Sequence, residues 1–299
     1  MKVLHGRRVL VVGALLVLSA LVSTGLGRND SDAALHDARG IRIAARHTNA
    51  DAVPPPVPFD ASTPRVAFVV TQTWKHDTSA FTEGLLIEDG RLIESTGLEG
   101  HSEVRAMERT TGVVRQRAVL APSLFGEGVA VVGARLYQLT WQNGRGYVYD
   151  AATLAPRDSF TFSGEGWGLT TDGTRLYMSD GSSRIQVIAP DGFRTERTIQ
   201  VTESGRSVWM LNELEWIRGE LWANVYQTDL IARINPVSGA VVGWVDLSQL
   251  LTAGERLAVQ RRGGLANGIA FDEKTNRVLV TGKMWPKLFE MDRSALARP

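Results

Sequence analysis

From Pro64 onward, apolar runs alternate with tight polar turns at a period near two, which predicts strands rather than helices. Five segments align on one another: TEGLLIEDGRLIEST, GEGVAVVGARLYQLTW, GWGLTTDGTRLYMSD, NELEWIRGELWANVY and NGIAFDEKTNRVLVTGK. Each holds an apolar run, a turn (EDGR, VGAR, TDGTR, IRGE or DEKTNR) and a second β-rich run, so each predicts a hairpin. A further strand-like stretch follows every hairpin. With Leu92, Leu136, Leu176, Leu221 and Val278 as markers of the second run, the repeat recurs at roughly 40 to 57 residues, the spacing of propeller blades. The longest interval contains LSQLLTAGERLAVQRRGG, which predicts a short helix and loop. The last repeat stops after KLFEMD, so a closed ring needs a strand from the other end, and PRVAFVVTQTW, Pro64 to Trp74, is the donor. The expectation is an all-β chain: a five-bladed β-propeller over residues 64–299, its last blade closed by an N-terminal strand. A β-sandwich would not explain five matching hairpins.

The repeat also acts as a ruler. Nine residues before the first four markers, at the start of each innermost strand, stand Glu83, Glu127, Trp167 and Asn212; the fifth turn is longer and makes Asn267 the equivalent. Five residues after the marker, at the end of the second strand, stand Trp141, Tyr226 and Lys283. The start of one antiparallel strand lies beside the end of its neighbour, so all these residues should meet at one mouth of the propeller. Trp222 lies on the same hairpin as Asn212. Aromatic walls around a few amides, a lysine and two carboxylates have the composition of a ligand site.

The chain begins differently. In MKVLHGRRVLVVGALLVLSALVSTGLG, Lys2, Arg7 and Arg8 precede the apolar run Val9–Val22, which is short for a spanning helix. Residues 1–27 therefore read as a signal peptide or signal anchor, and the protein as exported, periplasmic or extracellular. A membrane contact is expected only if that segment stays uncleaved. Residues 28–63 end in VPPPVPFD and read as a flexible, proline-containing spacer.

Composition removes several chemistries. Lys+Arg number 33 against Asp+Glu 32, a net charge of +1, which predicts no nucleic-acid partner. With no cysteine there is no disulfide, thiolate metal site or cysteine nucleophile. The five histidines, His5, His36, His47, His76 and His101, stop within the first repeat, so no zinc cluster forms and serine nucleophiles lack a nearby His. No cofactor is expected. A structural calcium ion stays open, although no acidic ligand loop stands out. Glu83 and Glu127 could alternatively serve as a glycoside hydrolase pair, and a non-enzymatic exported binding propeller is a further alternative.

FTEGL, FGEG, LTW, EGWGL, LNELEW, LWANVY, NGIAFD and TGKMWP occur in this order between Phe81 and Pro286. Together they resemble the plant and bacterial type of glutamine cyclotransferase (glutaminyl-peptide cyclotransferase). The resemblance implies a five-bladed propeller that converts N-terminal glutamine of peptides and proteins to pyroglutamate, releasing ammonia without metal. It implies Glu127 as the catalytic acid/base, with Phe81, Phe125, Trp141, Trp167, Asn212, Trp222 and Lys283 lining the pocket. Glu83 departs from the family's frequent FTQGL and leaves its role between binding the substrate amine and raising the pKa of Glu127. Monomer is the default oligomeric state.

Overall fold

The inner strands Thr82–Glu88, Gly126–Val132, Leu211–Ile217 and Ala266–Asp272 are buried on both faces over most of their length, their polar residues included. Outermost strands such as Pro156–Thr161 and Arg194–Gln200 are polar and largely exposed. The computed structural model describes residues 62–66 and 69–292, together with Leu35–His36, Arg42–Ile43, Val57 and Asp60. The 1–27 segment, most of the 28–63 spacer and residues 293–299 lie outside the described residues.

Five sheets form the ring. From the axis outward, blade 1 runs Thr82–Glu88, Arg91–Thr96, Glu103–Met107 and Val114–Val119. Blade 2 runs Gly126–Val132, Arg135–Thr140, Arg145–Asp150 and Pro156–Thr161. Blade 3 runs Leu169–Thr171, Leu176–Ser179, Arg184–Ala189 and Arg194–Gln200. Leu211–Ile217, Glu220–Val225, Leu230–Ile234 and Val241–Asp246 make blade 4, and Ala266–Asp272, Arg277–Gly282 and Lys287–Asp292 make blade 5. Tight turns join the inner hairpins as their glycines require. Asp89–Gly90 and Arg218–Gly219 take positive φ at both central residues, the geometry that suits strand twist.

The stretch from Pro64 to Trp74 serves two blades, where the sequence suggested one strand. Arg65–Val66 runs parallel to Val241–Asp246 and covers the outer edge of blade 4. Val70–Lys75 then pairs antiparallel with Lys287–Asp292 as the outermost strand of blade 5. A buried polar cluster sits where the chain passes from this strand into blade 1. Glu94 accepts from Thr82 Oγ1 at 2.7 Å and Arg105 Nε at 2.8 Å and lies 3.0 Å from His76 Nε2. The inserted helix, Ala253–Gln260, begins with a capping box between Thr252 and Glu255.

One layer in from the mouth, the inner strands carry Gly84, Gly128, Gly168, Glu213 and Gly268. A Cβ would lie 2.8 Å from Val129 N on Gly84, 2.4 Å from Leu169 N on Gly128 and 2.8 Å from Leu214 N on Gly168. Backbones of adjacent blades therefore touch at this level, and side chains are excluded. Glu213 is the exception in the layer. Its carboxyl receives Leu85 N–H from blade 1 at 3.3 Å and Ile269 N–H from blade 5 at 2.9 Å. Glu215, one pleat further, accepts from Phe271 N at 2.7 Å and Thr170 Oγ1 at 3.2 Å. Inner edges of a propeller have no neighbouring strand to bond to, so these carboxyls satisfy buried N–H groups.

These groups set a pH dependence. Burial pushes Glu215 up to about 8 from an ordinary 4.5, so the fold holds its proton more tightly than the unfolded chain does. That stabilisation is complete below the ordinary value and is lost as pH rises through about 8. Glu94 has the opposite sign: burial alone would raise it, but His76 and Arg105 hold it at about 2. Its contribution is present above 4.5 and is lost as pH falls through about 2. The melting temperature is expected to peak at weakly acidic pH, between about 4.5 and 6, and to fall on either side. A scan that rose steadily from there to pH ~9 would contradict this assignment.

Candidate active site

Every residue placed at the mouth by the ruler sits at an inner-strand start or a second-strand end, as the hairpin registers Thr82–Thr96, Gly126–Thr140 and Ala266–Gly282 require. Glu83, Glu127, Asn212, Asn267, Trp141, Trp167 and Lys283 are all buried. Phe125 is half-buried and packs on buried Phe81, with ring centroids 6.0 Å apart.

Glu127 is held by its backbone. Its carbonyl accepts from Ser95 Oγ, Ser95 Oγ accepts from Gln138 Nε2 at 2.9 Å, and Tyr149 OH donates to Gln138 at 3.0 Å. Gly126 and Gly128 are required by close approach: a Cβ on Gly126 would lie 2.6 Å from Thr96 O, and one on Gly128 would lie 2.6 Å from Trp167 O. The Glu83 carboxyl is close enough for its charge to act on Glu127. Burial, and after it the Glu83 charge, raise the Glu127 pKa well above the usual carboxylate range. Its Oε2 is buried and has no hydrogen-bond partner.

Glu83 is the charged counterpart. Lys283 Nζ donates to its Oε1 at 2.7 Å and Asn267 Nδ2 to its Oε2 at 3.2 Å. Burial raises the Glu83 pKa and Lys283 opposes that rise. Burial works against the charge on Lys283, but the Glu83 and Glu127 carboxyls outweigh it and leave the Lys283 pKa above the usual value. The arrangement is a Lys283–Glu83 ion pair beside the Glu127 carboxyl, whose neutral form burial favours.

Aromatic side chains surround these groups. Phe125 meets Trp141 at 5.7 Å and Trp167 meets Tyr226 at 5.6 Å, both edge to face. Lys283 Nζ lies 4.7 Å from the Phe81 centroid and 5.5 Å from that of Tyr226. Tyr226, which shares the register of Trp141 and Lys283, is thus part of the wall.

Trp222 is not. It pairs with Glu215, next to the Ile217–Glu220 turn and away from the mouth. Its ring is fully buried between blades 4 and 5 against Ile217 and Val245, donates to Glu220 at 3.0 Å and lies under Arg233. Lying on the right hairpin does not place a side chain at the right end of it. Conversely, Glu165 escaped the ruler because it precedes the blade 3 strand. Its Oε2 accepts from both Trp141 Nε1 and Trp167 Nε1 at 2.9 Å. Its place in EGWGL, two residues before Trp167, was the available signal.

The described residues contain no group of three or more His, Cys, Asp or Glu arranged to hold a metal ion.

A family model for glutamine cyclotransferases matches residues 41–292, which span all five blades. A glutaminyl-peptide cyclotransferase of Arabidopsis thaliana is 42% identical over 224 residues, covering 74% of this chain and 70% of that protein. The crystal structure of Myxococcus xanthus glutaminyl cyclase superposes with a TM-score of 0.69 at 33% identity, covering 77% of this chain and 97% of that one. Family model, relative and solved structure thus converge, and the chain belongs to the glutamine cyclotransferase family.

Proposed function

We propose that this enzyme cyclises N-terminal glutamine of peptides and proteins to pyroglutamate, releasing ammonia, with Glu127 as the single proton shuttle. The observation that carries this is the surplus of acceptors at the mouth. Glu127 Oε2, Asn212 Oδ1 and Asn267 Oδ1 are buried and have no partner. Unsatisfied buried acceptors are costly unless a ligand brings donors. An N-terminal glutamine brings them in its α-amino and carboxamide N–H groups.

In the reaction, the α-nitrogen attacks the substrate's own γ-carboxamide carbon. Nucleophile and electrophile belong to one residue, so the aromatic walls need only hold the folded conformer. As the ring C–N bond forms, the leaving nitrogen must gain a proton and the attacking nitrogen must lose one. The neutral Glu127 carboxyl donates to the former and is reprotonated by the latter, so no net charge accumulates on it. Burial, and after it the Glu83 charge, favour this neutral form of Glu127. Lys283, already bound to Glu83, balances that carboxylate and stabilises charge that develops on the γ-carbonyl oxygen. Asn212 orients the substrate.

The direct test is ammonia release from Gln-Ala-type peptides, with Glu-Ala peptides and a polysaccharide as controls. Release from the glutamine peptides alone is expected; none from any N-terminal glutamine peptide would overturn the activity. A second measurement addresses the shuttle. Glu83→Gln removes the like charge that raises the Glu127 pKa, so the basic limb of the pH–rate profile is expected at lower pH than in the wild type. A limb moved upward, or left in place, would dissociate Glu83 from Glu127.

A further inference from the structure

The wall of the mouth is a closed circuit. Three of its joints are ring against ring: Phe81–Phe125, Phe125–Trp141 and Trp167–Tyr226. The other two are charged side chains. Lys283 bridges Tyr226 and Phe81, and Glu165 bridges Trp141 and Trp167. Trp141 follows the second strand of blade 2 and Trp167 precedes the inner strand of blade 3, so Glu165 ties the circuit across the seam between two blades.

The tie is specific. An indole N–H is a lone donor, and a single carboxylate oxygen has lone pairs enough for two. Both N–H groups point at Oε2, which fixes the two rings relative to each other. Oε1 is held in turn by Gln142 Nε2 at 3.0 Å. On its other side Trp167 lies flat on Gly181, where a Cβ would come within 2.7 Å of the ring. Charge-assisted bonds of this kind are about twice as strong as neutral ones.

We infer that Glu165 is a positioning residue for cyclisation: it sets the gap between the two indole walls that receive the glutaminyl side chain, and it supplies a rim charge that favours a cationic N-terminus. The charge also acts inward, since it is among the charges that raise the Glu127 pKa. This last effect rests on the shuttle reading above; the indole tie does not.

Steady-state kinetics of full-length Glu165→Ala and Glu165→Gln, against pH, test the inference. Loss of the tie in Glu165→Ala is expected to raise KM for a Gln-Ala-type peptide by about tenfold or more, with kcat changed less. Glu165→Gln keeps an acceptor oxygen for both indoles and is expected to hold KM within about threefold. Both variants lose the charge, so both should move the basic limb to lower pH. A wild-type KM in Glu165→Ala, or an equal rise in both variants, overturns the indole tie. Where the alanine variant fails to fold, tryptophan fluorescence of Glu165→Gln decides: a wild-type spectrum supports retained indole geometry, and a changed one overturns it. If Glu127→Gln stays active, the shuttle fails, but the KM split between the two Glu165 variants still stands as the test of the tie.

Discussion

Glu127→Gln is expected to cyclise N-terminal glutamine at least about 10²-fold more slowly than the wild type while melting at the same temperature. The two halves of that expectation have separate causes. Glutamine matches glutamate in shape, and burial and the Glu83 charge favour the neutral form of the acid it replaces, so the substitution suits the pocket. The flanking close contacts of Gly126 with Thr96 O and Gly128 with Trp167 O involve backbone alone and are untouched. What disappears is an exchangeable proton of suitable acidity between the attacking and leaving nitrogens. General acid/base help of this kind is worth about 10² to 10⁴ in rate. Ammonia release and a thermal melt on the same preparation check both halves. Cyclisation within about threefold of wild type would remove Glu127 from the proton path.

The largest effect on stability is expected at Glu213. Glu213→Ala strips the partners from Leu85 N–H and Ile269 N–H at a level where the neighbouring blades meet through bare backbone. Each buried N–H left unsatisfied costs about 1–3 kcal/mol, and the deleted side chain leaves a cavity on the axis. A loss of about 3–5 kcal/mol, seen as a fall of roughly 10 °C in melting temperature, is expected. Glu213→Gln keeps one acceptor and should lose about half as much. Burial raises the Glu213 pKa well above the usual range, which favours the neutral carboxyl as the hydrogen-bonding form. Denaturant melts of the two variants should rank Gln above Ala; alanine equal to wild type would mean that the axis is held by packing alone.

The ring and its mouth were legible in the sequence because strand period and turn chemistry are local. Asp89–Gly90 and Arg218–Gly219 mark two hairpins, and counting from the markers brings Glu83, Glu127, Trp167, Asn212 and Asn267 to one end. Trp222 shows a limit of reading from sequence: the resemblance assigned it to the pocket, but one residue past its marker it lies at the turn end of its hairpin, packed against blade 5. The N-terminal stretch shows the same limit, since it divides between two sheet edges that lie far apart in sequence.

By itself, then, the sequence determined the five hairpins, their common register and a mouth lined with aromatic and acid groups, for these repeat along the chain and need only neighbouring residues. Tertiary structure alone decided the rest. It set Lys283 on Glu83, aimed two tryptophans of different blades at one oxygen of Glu165, and laid Glu213 across the axis to the backbones of blades 1 and 5. Those contacts join residues from separate blades, and their existence depends on closing the ring, which no local pattern encodes.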